Sequence, residues 1–357
     1  MGRAVLLFVL VQRLWPFLVL SAGLLIIVAL VSSFGDRGLE RTVTAGLIRI
    51  VIVVGLYIFV GNSGVLSFGH IGFTAIGAYA TAWQTARPSL KALKLTGLPE
   101  ALIHTTVPLF PAAIISGLLA AVVAFLIGLA LMRLRGLAAS IGTFSFLAIV
   151  HILYSNWESV TGGTSSIIGI PKYVDPWIGL AWAVAAIATA QLYQNSRYGL
   201  ALRSSREDEI AARAAGVDVL RQRLIAFMLS AFFTGIGGVM YAHFIGAIMI
   251  NTFYLDLTFI TLAMLVVGGM RSLTGAVAGV VVLSILIELL RQLERGVNVG
   301  GAALSIPLGG QEIGLAIVML SILLFRRGGL TRNKEVPWPW RDFTTMARPV
   351  GTGLPTQ

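Results

Sequence analysis

Long apolar runs, separated by short polar segments, constrain the fold of this chain more than any other feature of its sequence. About 20 apolar residues in a helix cross the hydrocarbon core of a bilayer, which is about 30 Å thick. Hydrophobic residues make up 57% and charged residues 11% of the 357 positions, whereas soluble domains average about 45–50% and about 25%. The sequence therefore predicts an all-α integral membrane protein surrounded by lipid, because a helix satisfies its own backbone hydrogen bonds there.

Ten apolar stretches are candidate membrane-spanning segments, which predicts one polytopic bundle over residues 1–357. The third is rich in glycine and is expected to be broken or re-entrant. The first is interrupted by Pro16 and lacks a clear cleavage site, so it is interpreted as a retained helix. The ten segments are 14–34, 43–60, 65–83, 107–132, 137–157, 177–193, 224–245, 253–268, 274–293 and 313–325.

The positions of the basic residues predict the orientation, since Lys and Arg favour the cytoplasmic side. With the amino terminus inside, 17 of the 26 Lys and Arg residues are cytoplasmic, eight are external, and Arg49 lies within the membrane. Both termini, the interval 195–223 and the tail 327–357 are then cytoplasmic. The net charge of +11 is spread between apolar runs rather than gathered on one surface, so no nucleic-acid partner is expected.

The densest motif is GNSGVLSFGHIGFTAIGAYATA, residues 61–82. Each glycine weakens a helix by about 1 kcal/mol but permits close backbone approach. The run therefore suits either a helix break beside a solute path or simple helix packing. A short glycine pattern in the second half loosely echoes it, which suggests two weakly related halves. The candidate translocation residues are Gly61, Gly64, Ser67, Gly69, His70, Gly72, Gly77, Gly268, Gly269 and Gly275.

Few ionisable residues fall within the predicted segments. His70 has no carboxylate neighbour in sequence, which favours a hydrogen-bonding role over proton relay. Arg49 is expected to face the bundle or a cavity, because a lipid-exposed arginine at a helix centre costs about 2.5–3.5 kcal/mol. Glu288 and Arg291, three positions apart, are expected to pair.

The polar interval 195–223 contains SSREDEIAARAAG. Serines followed by acids favour a helix start, alanines its interior and glycine its end. We therefore predict a short cytoplasmic helix that begins at the serines and ends at Gly216. It is either a solvated connector or a docking element whose small alanine face fits a groove of a partner.

Together these motifs resemble the LivM-type permeases of binding-protein-dependent ABC importers for branched-chain amino acids. The resemblance covers almost the whole chain. It rests on five segments in order, namely the run 61–82, LRGLAASIGTFSFLAIVHILYSNWESVTGGTSSIIGIP, SRYGLALRSSREDEIAARAAGVDVLRQRLIAF, VVGGMRSLTGAVAGVVVL and FRRGGL.

The resemblance implies a location in the bacterial inner membrane and three kinds of partner besides lipid. These are a second related permease, two ATP-binding cassette subunits that carry ATP and Mg²⁺, and an external solute-binding protein. The interval 209–216 is similar to the coupling loop that such permeases present to the ATPases. Glu209, Ala211, Ala212 and Gly216 are the candidate coupling residues, although Ile210 stands where the family has its first glutamate. Thr161, Gly162 and Gly163 are the candidate loop facing the binding protein.

Other functions remain open on the sequence. The chain lacks a G-x-x-x-x-G-K-[ST] phosphate loop, so no ATP hydrolysis and no cofactor are expected on it. An intramembrane enzyme is disfavoured by the absence of cysteine, of HExxH and of an acid pair. An ion-coupled secondary transporter would need partnered intramembrane acids, and Glu288 alone lies deep in a predicted segment. Importers of urea or short amides have permeases of very similar pattern.

Overall fold

The computed structural model describes residues 2–295, 297–299, 302–304, 307, 309–326 and 328–337. Short strands form two antiparallel pairs. Strand β1 (Ile167–Ile168) pairs with β2 (Ala247–Ile248), and β3 (Val297–Val299) pairs with β4 (Ala302–Leu304). Otherwise the regular structure of these residues is helical. The helices are α1 Gly2–Phe34, α2 Arg37–Ser63, α3 His70–Thr85, α4 Pro88–Lys94, α5 Glu100–His104, α6 Leu109–Leu131, α7 Leu137–Asn156, α8 Glu158–Thr161, α9 Pro176–Asn195, α10 Arg197–Glu207, α11 Glu209–Ala214, α12 Val219–Ile245, α13 Leu255–Gly268, α14 Leu273–Arg295 and α15 Gly310–Phe325, with a 3₁₀ turn at Ile250–Phe253.

Nine of the ten predicted segments coincide with a helix, and the third, 65–83, covers a non-helical stretch followed by most of α3. Eight candidate spans in the described part of the chain are long and apolar enough to cross a membrane. The other two helices, α3 and α15, have 16 residues each and are shorter. The prediction of an all-α polytopic membrane protein is confirmed. Most of the predicted tail 327–357 lies outside the described residues.

Aspartates and glycines set the ends of the main helices. The Asp36 carboxylate accepts a hydrogen bond from the Leu39 amide at the start of α2, and Asp175 and Asp218 cap α9 and α12 in the same way. Gly64 and Gly246 end α2 and α12 with φ of 72° and 83°, a left-handed conformation that glycine adopts without strain. The aspartates and glycines between the apolar runs therefore determine where these helices begin and end.

Successive long helices run in alternating directions, so the bundle has two ends. One carries α10 and α11, together with the turns between α2 and α3 and between α13 and α14; we call it the α10–α11 end. The other carries the β1–β2 pair, α4, α5 and α8; we call it the β1–β2 end.

Helix α12 lies at the centre of the bundle, packed against α2, α3 and α6. Small residues allow this close packing: a Cβ added at Gly77 of α3 would overlap the Gly235 carbonyl of α12, and one at Gly238 would overlap the Thr74 carbonyl. Large apolar side chains point outward from α1, α6 and α7, including Ile26, Leu126 and Ile141. This arrangement is typical of a protein whose solvent is lipid.

The predicted start of the short polar helix is wrong. Ser204 and Ser205 lie inside α10, whose own N-cap is Ser196. Helix α11 begins after Asp208, whose carboxylate accepts hydrogen bonds from the amides of Ile210 and Ala211. Aspartate accepts from two successive amides here, so the chain starts a new helix at Asp208 rather than at the serines. The predicted stop is close to correct, because Gly216 has a φ of 83° just beyond Ala214.

Candidate functional site

The predicted break in the third segment is present at the α10–α11 end. Helix α2 ends at Ser63, residues 64–69 are not helical, and α3 begins at His70. Helix α7 holds this segment, since Thr143 Oγ1 accepts from the Phe68 amide at 3.2 Å and Ser140 donates to the Leu66 carbonyl at 2.7 Å. The backbone groups freed by the break are therefore partly satisfied by a neighbouring helix.

A second glycine turn joins α13 to α14 and lies against the first. A Cβ added at Gly61 would lie 2.8 Å from the Met270 carbonyl oxygen, so only glycine permits this approach. Gly269 adopts a φ of 124°, and Gly268 and Gly275 pack backbone to backbone across the turn. The two glycine segments that echo each other in sequence thus meet in space, although an internal repeat stays a prediction.

The candidate translocation residues are mostly buried at helix contacts. A Cβ at Gly69 would lie 2.5 Å from the Thr143 carbonyl oxygen, and one at Gly72 would lie 3.0 Å from the Phe146 ring. A Cβ added at Gly64 would lie 2.6 Å from Cγ of the Arg206 side chain. These glycines allow close packing at the α10–α11 end, and their role in translocation stays a prediction.

His70 occupies the first position of α3, and its ring makes one hydrogen bond within the described part of the chain. Its Nδ1 lies 2.7 Å from Ser67 Oγ, and its ring packs among Phe59, Phe73 and Phe227. Among the described residues no carboxylate lies within ion-pairing distance of this ring. These contacts agree with the hydrogen-bonding interpretation.

Arginines connect the polar interval to the first glycine break. Arg203 donates to Asn62 Oδ1 at 2.9 Å and to Gln194 Oε1 at 3.0 Å, and Arg206 donates to the Gly61 carbonyl at 2.6 Å. Helix α10 is thereby fastened to the last turn of α2. In the sequence, the only signal for these arginines is their place in the polar interval 195–223.

Glu209, the first residue of α11, is held by three arginines. Its carboxylate lies 2.9 Å from Arg223 of α12, 2.7 Å from Arg213 and 3.4 Å from Arg135 of the α6–α7 turn. Partial burial by itself raises the pKa of this carboxyl. Attraction to Arg223 and Arg135 and hydrogen bonds from Arg223 and Arg213 outweigh it, so the pKa lies below its ordinary value. Glu209 therefore anchors α11 to the bundle.

The predicted alanine docking face is wrong in part. Ala212 is only 6% exposed and packs inside this chain, whereas Ala211 and Gly216 are exposed. The large apolar side chain that α11 presents to solvent is Ile210, which is 83% exposed. Helix periodicity alone does not tell which side of a six-residue helix meets its own bundle.

The loop predicted to face a binding protein lies at the β1–β2 end. Thr161 is buried and donates to the Tyr154 and Trp157 carbonyls, while Gly162 and Gly163 take left-handed φ values of 72° and 61°. Gly163 is buried as well, and the exposed positions follow at Thr164 and Ser165. Thr161 and the glycines therefore shape the loop, and its contact with a binding protein stays a prediction.

Glu335, beyond α15, is a second anchor that the sequence analysis missed. Its carboxylate accepts from the amides of Leu273 and Thr274, at 2.7 and 3.0 Å, and caps the start of α14. The expected pair of Glu288 and Arg291 is present at 3.6 Å. Arg49 is half-buried and lines a cavity, which confirms that it faces the bundle.

These features define a class of protein: a multi-pass α-helical membrane protein in which two glycine turns meet next to the polar helices α10 and α11. The family model described as "Branched-chain amino acid transport system / permease component" matches residues 38–324. The chain belongs to this family. The match covers the helices from α2 to α15 and both glycine turns.

Curated relatives give the same classification. The chain is 30% identical, over 80% of its length, to the "High-affinity branched-chain amino acid transport system permease protein LivM" of Escherichia coli, and 30% identical over 78% to the protein of that name in Salmonella typhimurium. It is 27% identical, over 47%, to a "Probable branched-chain amino acid transport permease protein LivM" of Methanocaldococcus jannaschii. The aligned part spans 66% and 65% of the first two relatives, slightly under two thirds of their length.

Proposed function

We propose that this chain is the transmembrane permease subunit of an ABC importer that moves branched-chain amino acids across the bacterial inner membrane. The observation that carries the proposal is α11, a short helix that presents the exposed Ile210 while Glu209 fastens it to the bundle. An exposed apolar side chain on a rigidly held helix suits insertion into the groove of a partner.

The contacts around α10 supply a route from that partner to the membrane helices. Movement of α11 is passed to α12 through Arg223, and movement of α10 is passed to Gly61 and Asn62 through Arg206 and Arg203. The Gly61 backbone lies against Met270 of the second glycine turn. ATP binding would close the ATPases on each other and shift the contact between the two glycine turns from one arrangement to another. That shift would open or close one end of the bundle.

The proposed assembly has the α10–α11 end and both termini in the cytoplasm. Two ATP-binding cassette subunits bind ATP and Mg²⁺ and dock at α11, a second related permease completes the path, and a binding protein delivers solute at the β1–β2 end. The excess of basic residues in the segments at the α10–α11 end supports this orientation. The chain itself carries no catalytic role in this scheme.

Two alternatives differ in solute or energy source. A permease for urea or short amides fits the same bundle, and the names of the relatives favour branched-chain amino acids. An ion-coupled transporter is less well supported, because His70 has no acidic partner among the described residues and Glu288 is paired with Arg291.

The docking role of α11 is tested by Ile210→Glu in the complex purified from native membranes. Placing a charge in an apolar groove costs binding energy, so we expect the ATPase subunit to be lost on purification, or to hydrolyse ATP without solute uptake. Ile168→Glu, at an apolar position of comparable type at the β1–β2 end, serves as the control and should keep the ATPase bound. Full retention of the ATPase and of coupled uptake in Ile210→Glu would show that α11 is only a connector.

A further inference from the structure

A cavity of about 500 Å³ lies between α2, α12 and α13 toward the β1–β2 end, away from both glycine turns. Sites for small molecules typically measure about 300–1,000 Å³. The wall of this cavity combines one cation, one carboxylate and an apolar surface.

The cation is Arg49, which projects from the middle of α2. Its one hydrogen bond in the described structure is long, 3.4 Å from Nη1 to Ser284 Oγ. No carboxylate of the described residues lies within 4.0 Å of its guanidinium. The ionisable groups around it are Arg291, Glu288 and Tyr241. A guanidinium without a close anion can take a carboxylate in a bidentate pair.

The carboxylate is Asp256, in the first turn of α13. It is exposed, and its side chain makes no ion pair or hydrogen bond with the rest of the described chain. An acid in a first helical turn is stabilised by the helix dipole and does not by itself indicate a site. The independent observation is that Asp256 lies in the same cavity wall as Arg49, which carries the opposite charge.

Apolar side chains complete the wall. Ile48 and Ile52 come from the same stretch of α2 as Arg49, while Phe244, Leu257 and Ile260 come from α12 and α13. Asn251, whose Oδ1 lies 3.1 Å from His151 Nε2, adds an amide to the same wall. A ligand that fits this wall carries a carboxylate, an ammonium group and an aliphatic side chain.

We propose that this cavity binds an aliphatic zwitterionic amino acid, with Arg49 pairing its carboxylate, Asp256 pairing its ammonium group and the isoleucines packing its side chain. The proposal rests on the proposed function and adds to it the residues that select the solute. In the proposed orientation the cavity lies on the external side, where a binding protein would release its solute. It differs from the glycine segments that the sequence analysis favoured for the path.

The test uses alkylation of a single cysteine, since the chain has none of its own. Ala45→Cys places a small thiol in the cavity wall, and Thr42→Cys, on the same helix, places one in a separate apolar cavity between α1, α2 and α14. The full chain in nanodiscs is treated with N-ethylmaleimide in the presence of L-leucine, 4-methylpentanoate or 3-methylbutylamine. L-leucine should slow alkylation of Ala45→Cys at a concentration about tenfold or more below either analogue, because each analogue lacks one charge-assisted contact. Alkylation of Thr42→Cys should not change.

Two charge variants in the Ala45→Cys background assign the contacts. Asp256→Asn should raise the half-protecting concentration of L-leucine and of 3-methylbutylamine about tenfold or more, and leave that of 4-methylpentanoate unchanged. Arg49→Gln should weaken the protection given by L-leucine and by 4-methylpentanoate, and it should leave the protection given by 3-methylbutylamine unchanged. Arg87→Gln, an exposed arginine at the same end, is the control and should change none of the three. Asp256 is exposed, so its variant should fold even if Arg49→Gln does not.

The outcomes separate this inference from the proposed function. If L-leucine protects equally in native and both charge variants, or protects Ala45→Cys no better than Thr42→Cys, the binding site is refuted. An intact complex that still takes up leucine on ATP would then keep the permease assignment. The opposite result is that the two charge variants change protection as predicted but the chain binds no ATPase. That result would support the binding site and overturn the assignment of the chain as an ABC permease.

Discussion

Glu209 fixes a surface helix to the membrane bundle through one carboxylate. Two of its arginine partners are substantially exposed, but Arg223 is only 8% exposed on its side chain. Removing the carboxylate would leave the buried Arg223 charge without its anion, which costs about 1–3 kcal/mol. Its neighbour Glu207 pairs with Arg206, but the Glu207 side chain is 62% exposed, and a carboxylate in solvent contributes little.

The Glu209 anchor should show a defined pH dependence. Because the pKa of Glu209 is lower in the folded chain than its ordinary 4.5, its stabilisation is complete above that value and is lost as the pH falls through the folded pKa. Glu209→Gln should therefore lower the Tm at pH 7, and the difference from the native chain should shrink as the pH drops below 4.5. Thermal unfolding in nanodiscs measures it, with Glu207→Gln as the control that changes little. A constant difference down to pH 3 would show that Glu209 acts through its shape rather than its charge.

At the scale of elements, the apolar helices were predictable and their contacts were not. Hydropathy sets a helix length that must match the bilayer, so nine predicted segments lie close to the observed helices and the broken one shows its break. The start of α11 was missed, because two adjacent helix-capping signals compete and only the fold selects Asp208. The burial of Ala212 and the contact between Gly61 and Met270 were also missed, since both depend on residues distant in sequence.

Helix packing at Gly77 gives a test at the same scale. Gly77→Ala should destabilise the bundle by about 1–3 kcal/mol, because its methyl group would overlap the backbone of α12 at Gly235. Gly23→Ala, in α1 with no atom within 4 Å of the added Cβ, is the matched control and should be neutral or stabilising by up to about 1 kcal/mol. Tryptophan fluorescence during thermal unfolding gives both values. Equal Tm values for the two variants would contradict close packing of α3 on α12.

At the scale of the whole molecule, three features lie at different levels along the bundle. The β1–β2 end carries the charged cavity, the α10–α11 end carries the two glycine turns, and α10 and α11 carry the proposed docking surface beyond them. The sequence motifs indicated the second and third of these. Arg49 and Asp256 are 207 positions apart along the chain, so no local pattern indicated their shared cavity.

The orientation of the bundle has its own test. Thr164 is exposed in the loop before β1, so a Thr164→Cys variant in intact cells should react with a membrane-impermeant maleimide added outside. Ser204→Cys, in α10, should react only after the membrane is permeabilised. The reverse pattern would invert the proposed topology and place α11 where no ATPase can reach it.

The most direct test of the central claim is uptake of L-leucine into proteoliposomes that contain this chain with the subunits that copurify with it from native membranes. The account predicts uptake that requires internal ATP and an external binding protein, and that persists when proton and sodium gradients are collapsed. It also predicts that leucine is preferred over urea. Leucine uptake driven by an ion gradient without ATP, or ATP-driven uptake of urea but not of leucine, would contradict it.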